Sequence, residues 1–146
     1  MKKTGFPSSY NSLIVAARAA RQYSYSPYSR FRVGAALMTT DGRVYTGCNI
    51  ENSSYGLTVC AERIAVFKAV SEGALRFRAM AIVSDSTEYT PPCGACRQVL
   101  MDFADNIDFI LTNGRGGHKI VRMKELLPYP FSPKNLPARP RRRPRT

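Results

Sequence analysis

Val59-Cys60-Ala61-Glu62-Arg63-Ile64-Ala65-Val66-Phe67-Lys68-Ala69-Val70-Ser71-Glu72-Gly73 carries one helical pattern from about Val59 to about Glu72, with Gly73 placed to stop it. Ala61, Ile64, Ala65, Val66, Phe67, Ala69 and Val70 ring this helix, so it is expected to be buried on nearly every side. The layers to bury it lie on both sides in sequence. Upstream, Leu13, Ala16, Ala17 and Ala20 fall at helical spacing within a helix from about Tyr10 to about Tyr23, which Ser26-Pro27-Tyr28 breaks. Phe31 to Met38 and Val44 to Asn49 read as two strands, with Asp41-Gly42 supplying the hairpin turn between them.

Downstream, Ala79 to Val83 is a third, apolar strand. A helix from about Cys93 to Phe103 carries Cys96, Val99, Leu100 and Phe103 on one face. Ile107 to Leu111 and Lys119 to Val121 are two further strands around the glycine-rich turn Asn113 to Gly117. Helix, hairpin, helix, strand, helix and two strands predict an α/β fold: a mixed five-stranded sheet between helices, in three layers.

At 146 residues the chain is long enough for one hydrophobic core, and 44% apolar residues exclude a disordered protein. No stretch approaches the roughly twenty apolar residues of a membrane span. The start, Met1 to Pro7, lacks the apolar run of an export signal, so the four cysteines are expected as free thiols in a reducing cytoplasm. The net charge of +12 suggests nucleic acid, but six of those charges lie in residues 134–146. The division is therefore a domain over residues 1–133 and a basic Pro/Arg-rich tail over residues 134–146, expected to be disordered and solvated rather than a specific nucleic-acid arm.

The chemistry is concentrated in Cys60-Ala61-Glu62 and Pro92-Cys93-Gly94-Ala95-Cys96. Cys93 and Cys96 at i and i+3 face the same way on a helix, and Cys60 adds a third thiolate from another helix start. Helix N-termini favour thiolate over thiol, and Pro92 is tolerated where the first helical N–H groups lack partners. Three ligands with one position left for water describe a catalytic zinc ion. Cys48 as a fourth ligand would instead close a structural zinc knot. Glu62, two residues after Cys60, suits a proton shuttle beside an activated water, and cysteine ligands with a non-ligand glutamate are the pattern of zinc deaminases. Arg63 and Arg97 each follow a cluster residue, and either guanidinium would draw charge from the thiolates.

Phe31-Arg32-Val33-Gly34-Ala35-Ala36-Leu37, Gly47-Cys48-Asn49-Ile50-Glu51-Asn52, Cys60-Ala61-Glu62-Arg63 and Pro92-Cys93-Gly94-Ala95-Cys96-Arg97-Gln98-Val99 together resemble the small homotetrameric zinc-dependent cytidine deaminases. The likeness runs from about Tyr25 to Phe131, and Phe67 to Gly73 and Glu125 to Pro128 add to it. The resemblance implies hydrolysis of cytidine and deoxycytidine to uridine and deoxyuridine with release of ammonia, in pyrimidine salvage. It implies zinc on Cys60, Cys93 and Cys96, a proton shuttle at Glu62 and charge compensation by Arg63. Asn49 and Glu51 would bond the ribose hydroxyls, Phe31 would pack on the pyrimidine, and Ala61 would join the substrate contacts. Gln98 would order the site, and Tyr55 and Phe131 would reach a neighbouring subunit's site. From the residues alone, Asn49 and Glu51 read as turn residues and Phe31 as a core aromatic.

Two positions depart from the family pattern: Ile64, where threonine is usual, and Arg32, where proline or a small polar residue is usual. Arg32 and the tail bear on substrate preference. Two rivals use the same motifs. A nucleic-acid editing protein would use the tail to hold a strand, although Asn49 and Glu51 suit a free nucleoside. A non-catalytic zinc-stabilised module leaves Glu62 unexplained.

Overall fold

A computed structural model describes residues 7–137. Its elements in chain order are α1 (Ser8–Arg21), β1 (Val33–Thr39), β2 (Val44–Cys48), α2 (Ala61–Ser71), β3 (Phe77–Ser84), α3 (Gly94–Phe103), β4 (Asp108–Thr112), β5 (His118–Arg122) and α4 (Met123–Leu126). Single 3₁₀ turns lie at Tyr55–Leu57 and Pro133–Asn135. The strands form one mixed sheet in the order β2-β1-β3-β4-β5. Only the β3–β4 pair, joined through α3, is parallel. That matches the expected α/β architecture, because a parallel pair needs a crossover helix while the hairpins do not.

Alternation along the strands builds two cores. Val33, Ala35, Leu37, Met80, Ile82, Phe109 and Leu111 face α2 and α3. Ala36, Met38, Ala79, Ala81, Val83 and Ile110 face Tyr10, Leu13 and Ala17 of α1. All seven residues of β1 are buried, as a strand covered on both faces requires. The Asp41-Gly42 turn is present: Gly42 takes φ +90° and donates its N–H to the Thr39 carbonyl at 3.1 Å.

Gly34 and Gly47 let helices approach the sheet. A Cβ on Gly34 would lie 2.0 Å from the Ala17 carbonyl oxygen of α1, and one on Gly47 would lie 2.3 Å from the Ala61 carbonyl oxygen of α2. The second contact seats the start of α2 directly on β2.

The expectation for α2 needs correction. Ala61, Glu62, Ala65, Val66 and Ala69 are buried, but Phe67 is 46% exposed and Ile64 and Val70 are half-buried. One chain has a sheet on only one side of this helix, so the opposite apolar face is left open. Strand β1 also starts later than expected, at Val33, and Phe31 is 39% exposed rather than a core aromatic. The short helix α4 and the two 3₁₀ turns carry no apolar period long enough to read from sequence. The proposed boundary at residue 133 falls inside the turn Pro133–Asn135, and the arginine-rich part of the tail, residues 138–146, lies outside the described residues.

Candidate metal centre

Cys60 and Cys93 each occupy the residue immediately before a helix, with extended backbone. Neither side chain caps its helix, so both sulfurs are free to converge where the N-termini of α2 and α3 meet. Cys96 arrives one turn along α3 and is buried. The three Sγ atoms lie within 4.8 Å of one another, and Cys60 and Cys93 are 3.7 Å apart. No other group of three or more His, Cys, Asp or Glu ligands comes together among the described residues. Cys48 sits half-buried on β2, outside the cluster, so the four-cysteine knot is not formed. His118 lies on β5 and is not part of the cluster either.

The donor set fits zinc: three soft sulfurs with a tetrahedral position to spare. The Cys60 thiol is pushed down to about 5 by its hydrogen bond with Cys96 and by Arg63, against the burial that raises it. In the same pair the Cys96 thiol is pushed up, by that hydrogen bond and by burial. A metal cation shared by both sulfurs would resolve that contest by holding both as thiolates.

Arg63 is the guanidinium that lies beside the sulfurs. Its Nη2 donates to the Thr58 carbonyl at 3.2 Å and lies 3.7 Å from Cys60 Sγ, while its Nε is buried with no partner. A buried N–H without an acceptor is costly, and a guanidinium whose Nη2 already lies beside Cys60 Sγ would be favoured by anionic thiolates there. Arg97 points elsewhere, donating from Nε to the Pro92 carbonyl at 2.7 Å and from Nη1 to the Leu126 carbonyl at 2.8 Å. It braces α3 against α4 rather than compensating sulfur charge.

Glu62 is 4% exposed. Burial first, and then the Cys60 charge, push its carboxyl up to about 7, against its backbone hydrogen bond and Arg63. A carboxyl balanced near neutrality can both accept and give a proton. Ala61, just before it, is fully buried, and its N–H belongs to the first helical turn, where no intrahelical acceptor exists.

Asn49 and Glu51 follow the end of β2, at the same end of the sheet as the start of β1. Asn49 Oδ1 accepts from Val33 N–H at 2.8 Å and from the Ser24 hydroxyl at 2.5 Å, and Nδ2 donates to the Phe31 carbonyl at 2.8 Å. One Nδ2 hydrogen remains. The Glu51 carboxylate accepts from Tyr28 N–H at 2.9 Å, Ser29 N–H at 3.2 Å and the Ser29 hydroxyl. The Ser29 hydroxyl first, with the two N–H groups behind it, holds that carboxyl below the usual glutamate range against the opposing effect of burial. A cleft of about 330 Å³ opens between Tyr28, Ser29, Glu51, Tyr55 and Thr58. Tyr55 is 73% exposed and its ring lies 5.6 Å from that of Tyr28. Gln98 donates from Nε2 to the Phe131 carbonyl at 2.7 Å, which ties the exposed Phe131 segment to α3.

Ser24, Ser29 and Thr58 were not among the residues singled out from the sequence. The serines flank the Ser26-Pro27 helix break, where their only signal is turn composition. The Thr58 contribution is a backbone carbonyl, which no side-chain pattern reveals.

Known proteins resemble this chain in sequence and in fold. The family model for the cytidine and deoxycytidylate deaminase zinc-binding region matches residues 7–110. The chain is 49% identical over 125 residues to the cytidine deaminase of Sporosarcina psychrophila, covering 85% of this chain and 92% of that one. It is also 49% identical over 125 residues to the cytidine deaminase of Halalkalibacterium halodurans, covering 85% of this chain and 95% of that one. Among solved structures, the cytidine deaminase of Burkholderia pseudomallei superposes with a TM-score of 0.81 at 46% identity, covering 84% of this chain and 98% of that chain. The cytidine deaminase of Mycobacterium tuberculosis gives a TM-score of 0.73 at 42% identity, covering 84% of this chain and 96% of that chain.

Proposed function

The chain belongs to the zinc-dependent cytidine and deoxycytidylate deaminase family, and from that membership we propose that it hydrolyses cytidine and deoxycytidine to uridine and deoxyuridine with release of ammonia, as a step of pyrimidine salvage. One observation carries the reading: three cysteine sulfurs within 4.8 Å of one another at two helix N-termini, with a buried carboxyl two residues from one of them.

Cys60, Cys93 and Cys96 would hold the zinc. When bound, zinc supplies a Lewis acid that lowers the pKa of water toward neutrality. Arg63 draws charge from the sulfurs through Nη2 and offers them its unpartnered Nε. Glu62 takes one proton from the attacking water and passes it to the ring nitrogen N3 as the oxygen adds to C4. It then takes the second proton from the new C4 hydroxyl and gives it to N4, so that the C4–N4 bond breaks, ammonia leaves and the C4 carbonyl forms. The low exposure of Glu62 keeps bulk water from competing for that proton.

Phe31 packs on the pyrimidine. The remaining Asn49 Nδ2 hydrogen and the open lone pairs of Glu51 meet a ribose hydroxyl, which both accepts and donates. A strand substrate would place an anionic phosphodiester near the Glu51 carboxylate, so a free nucleoside suits the site better. The first-turn N–H of Ala61 is a further donor for the base.

The working assembly is a homotetramer. An apolar groove of about 470 Å³ runs along edge strand β2, lined by residues that include Ala19, Ala20, Tyr23, Gly47 and Ile64, and the outer face of α2 beside it is open. Tyr55 and Phe131, both exposed, are placed to reach a neighbouring subunit. Among the described residues, no helix is long and apolar enough to cross a membrane, and cytoplasmic residence fits the free thiols.

The test is ammonia release from cytidine by protein of measured zinc content, with Glu62→Ala alongside. Release by the parent protein and none by the variant is expected. No release from the zinc-loaded parent protein would overturn the substrate.

A further inference from the structure

Arg32 departs from the family pattern, and its surroundings give it a specific task. Asp85, one residue past the end of β3, accepts from Arg32 Nε at 3.0 Å and from Arg32 Nη2 at 3.2 Å. Backbone groups add to the clamp: Arg32 N–H donates to the Asp85 carboxylate at 3.2 Å, and Asp85 N–H donates to the Arg32 carbonyl at 3.2 Å. Arg21, the last residue of α1, reaches the same carboxylate at 3.4 Å and donates to the Ser84 carbonyl at 2.7 Å. A guanidinium fork on a carboxylate fixes orientation as well as distance, which a single ammonium contact does not.

What this clamp fixes is its neighbour. Phe31 N–H donates to the Ser29 hydroxyl at 3.1 Å, and its carbonyl accepts from Asn49 Nδ2 at 2.8 Å. The preceding Arg30 takes φ +57°, a left-handed conformation uncommon for a residue with a Cβ, and it persists because its surroundings impose it. Phe31 is thus half-exposed on a backbone pinned before, at and after its own position. Asp85 also begins the segment that leads to Cys93, and that segment is held by the Ser84–Thr90 hydroxyl contact at 2.5 Å and by Thr90 N–H on the Thr112 carbonyl at 3.3 Å. One carboxylate therefore links the Phe31 ring's support to the strand end that delivers the sulfur cluster.

We propose that Arg32 and Asp85 are positioning residues that set Phe31 against the pyrimidine, an assignment that rests on the reading of Phe31 given above. They touch no substrate and act through the aromatic ring.

The experiment is a double-mutant cycle on cytidine kinetics with Arg32→Ala, Phe31→Ala and the pair together, and with melting temperature measured for each. Arg32→Ala is expected to raise KM by about three- to tenfold, with kcat within about twofold and the melting temperature little changed, since an exposed ion pair adds little stability. In the Phe31→Ala background the same substitution is expected to have no further effect on KM. An equal KM increase in both backgrounds, or a loss in kcat alone, would overturn the positioning role while leaving the Phe31 reading intact. An unchanged KM in Phe31→Ala would overturn that reading and the positioning role with it.

Discussion

Gly47 of β2 and Ala61 of α2 approach so closely that a methyl group on Gly47 would lie 2.3 Å from the Ala61 carbonyl oxygen and 2.7 Å from the Ala65 nitrogen. Both obstacles are backbone, so no side chain can swing away. The contact fixes where α2 begins, and hence where Cys60 and Glu62 stand relative to α3. Gly47→Ala is expected to lower stability by about 1–3 kcal/mol and to reduce bound zinc per chain, because the sulfurs of α2 and α3 separate. Melting temperature and metal content measured together check this. An unchanged zinc content would mean that the glycine contact does not set the site.

Glu62→Gln retains the shape of the side chain and removes its proton chemistry. Turnover of cytidine is expected to fall by about 10²-fold or more, with zinc content unaltered. A variant that loses zinc as well would place the carboxyl in holding the metal rather than in moving protons.

Arg63→Ala removes the guanidinium whose Nη2 lies 3.7 Å from Cys60 Sγ. Loss of such an outer partner costs about 10- to 100-fold in activity or metal affinity. Catalysis is expected to suffer more than stability, since the one backbone bond lost, to the Thr58 carbonyl, lies at the edge of the site. Parent-like kinetics in this variant would remove Arg63 from the mechanism.

Zinc removal is expected to make thiols react. Cys93 is exposed, and the Cys60 thiol is held down at about 5, so both should react rapidly with a disulfide reagent after chelation. Added zinc should protect them. Reaction at the same rate with and without zinc would show that these sulfurs do not hold it.

Asp85 carries the sign of its own pH dependence. Burial is the largest single effect and raises its carboxyl, but the hydrogen bonds and charge of Arg32, and then the charge of Arg21, together outweigh it and hold the carboxyl below the ordinary aspartate value. A lowered folded-state value means stability that is fully present above about pH 4 and lost as pH falls through the folded value. The difference in melting temperature between parent and Asp85→Asn is therefore expected to be constant from about pH 5 to 8 and to shrink below about pH 4. A difference that grows on acidification would reverse the assignment.

Several parts of this molecule are local, and the sequence determined them. Helix and strand periods placed α1, α2, α3 and the five strands to within a few residues, because burial on one face imposes a repeat on the chain itself. The convergence of the three sulfurs, with Glu62 buried beside one of them, was equally legible, since a helix start and a one-turn spacing are written in consecutive residues. Tertiary structure decided what depends on distant partners. It set Arg63 rather than Arg97 beside the sulfurs, because Arg97 finds the Pro92 and Leu126 carbonyls. It placed Cys48 outside the cluster and left one face of α2 open in the single chain. It brought Asp85 to Arg32 across 53 residues of chain. Hydrophobic period follows from a residue's place on its own element, whereas the direction of a polar side chain follows from which acceptors the completed sheet brings within reach.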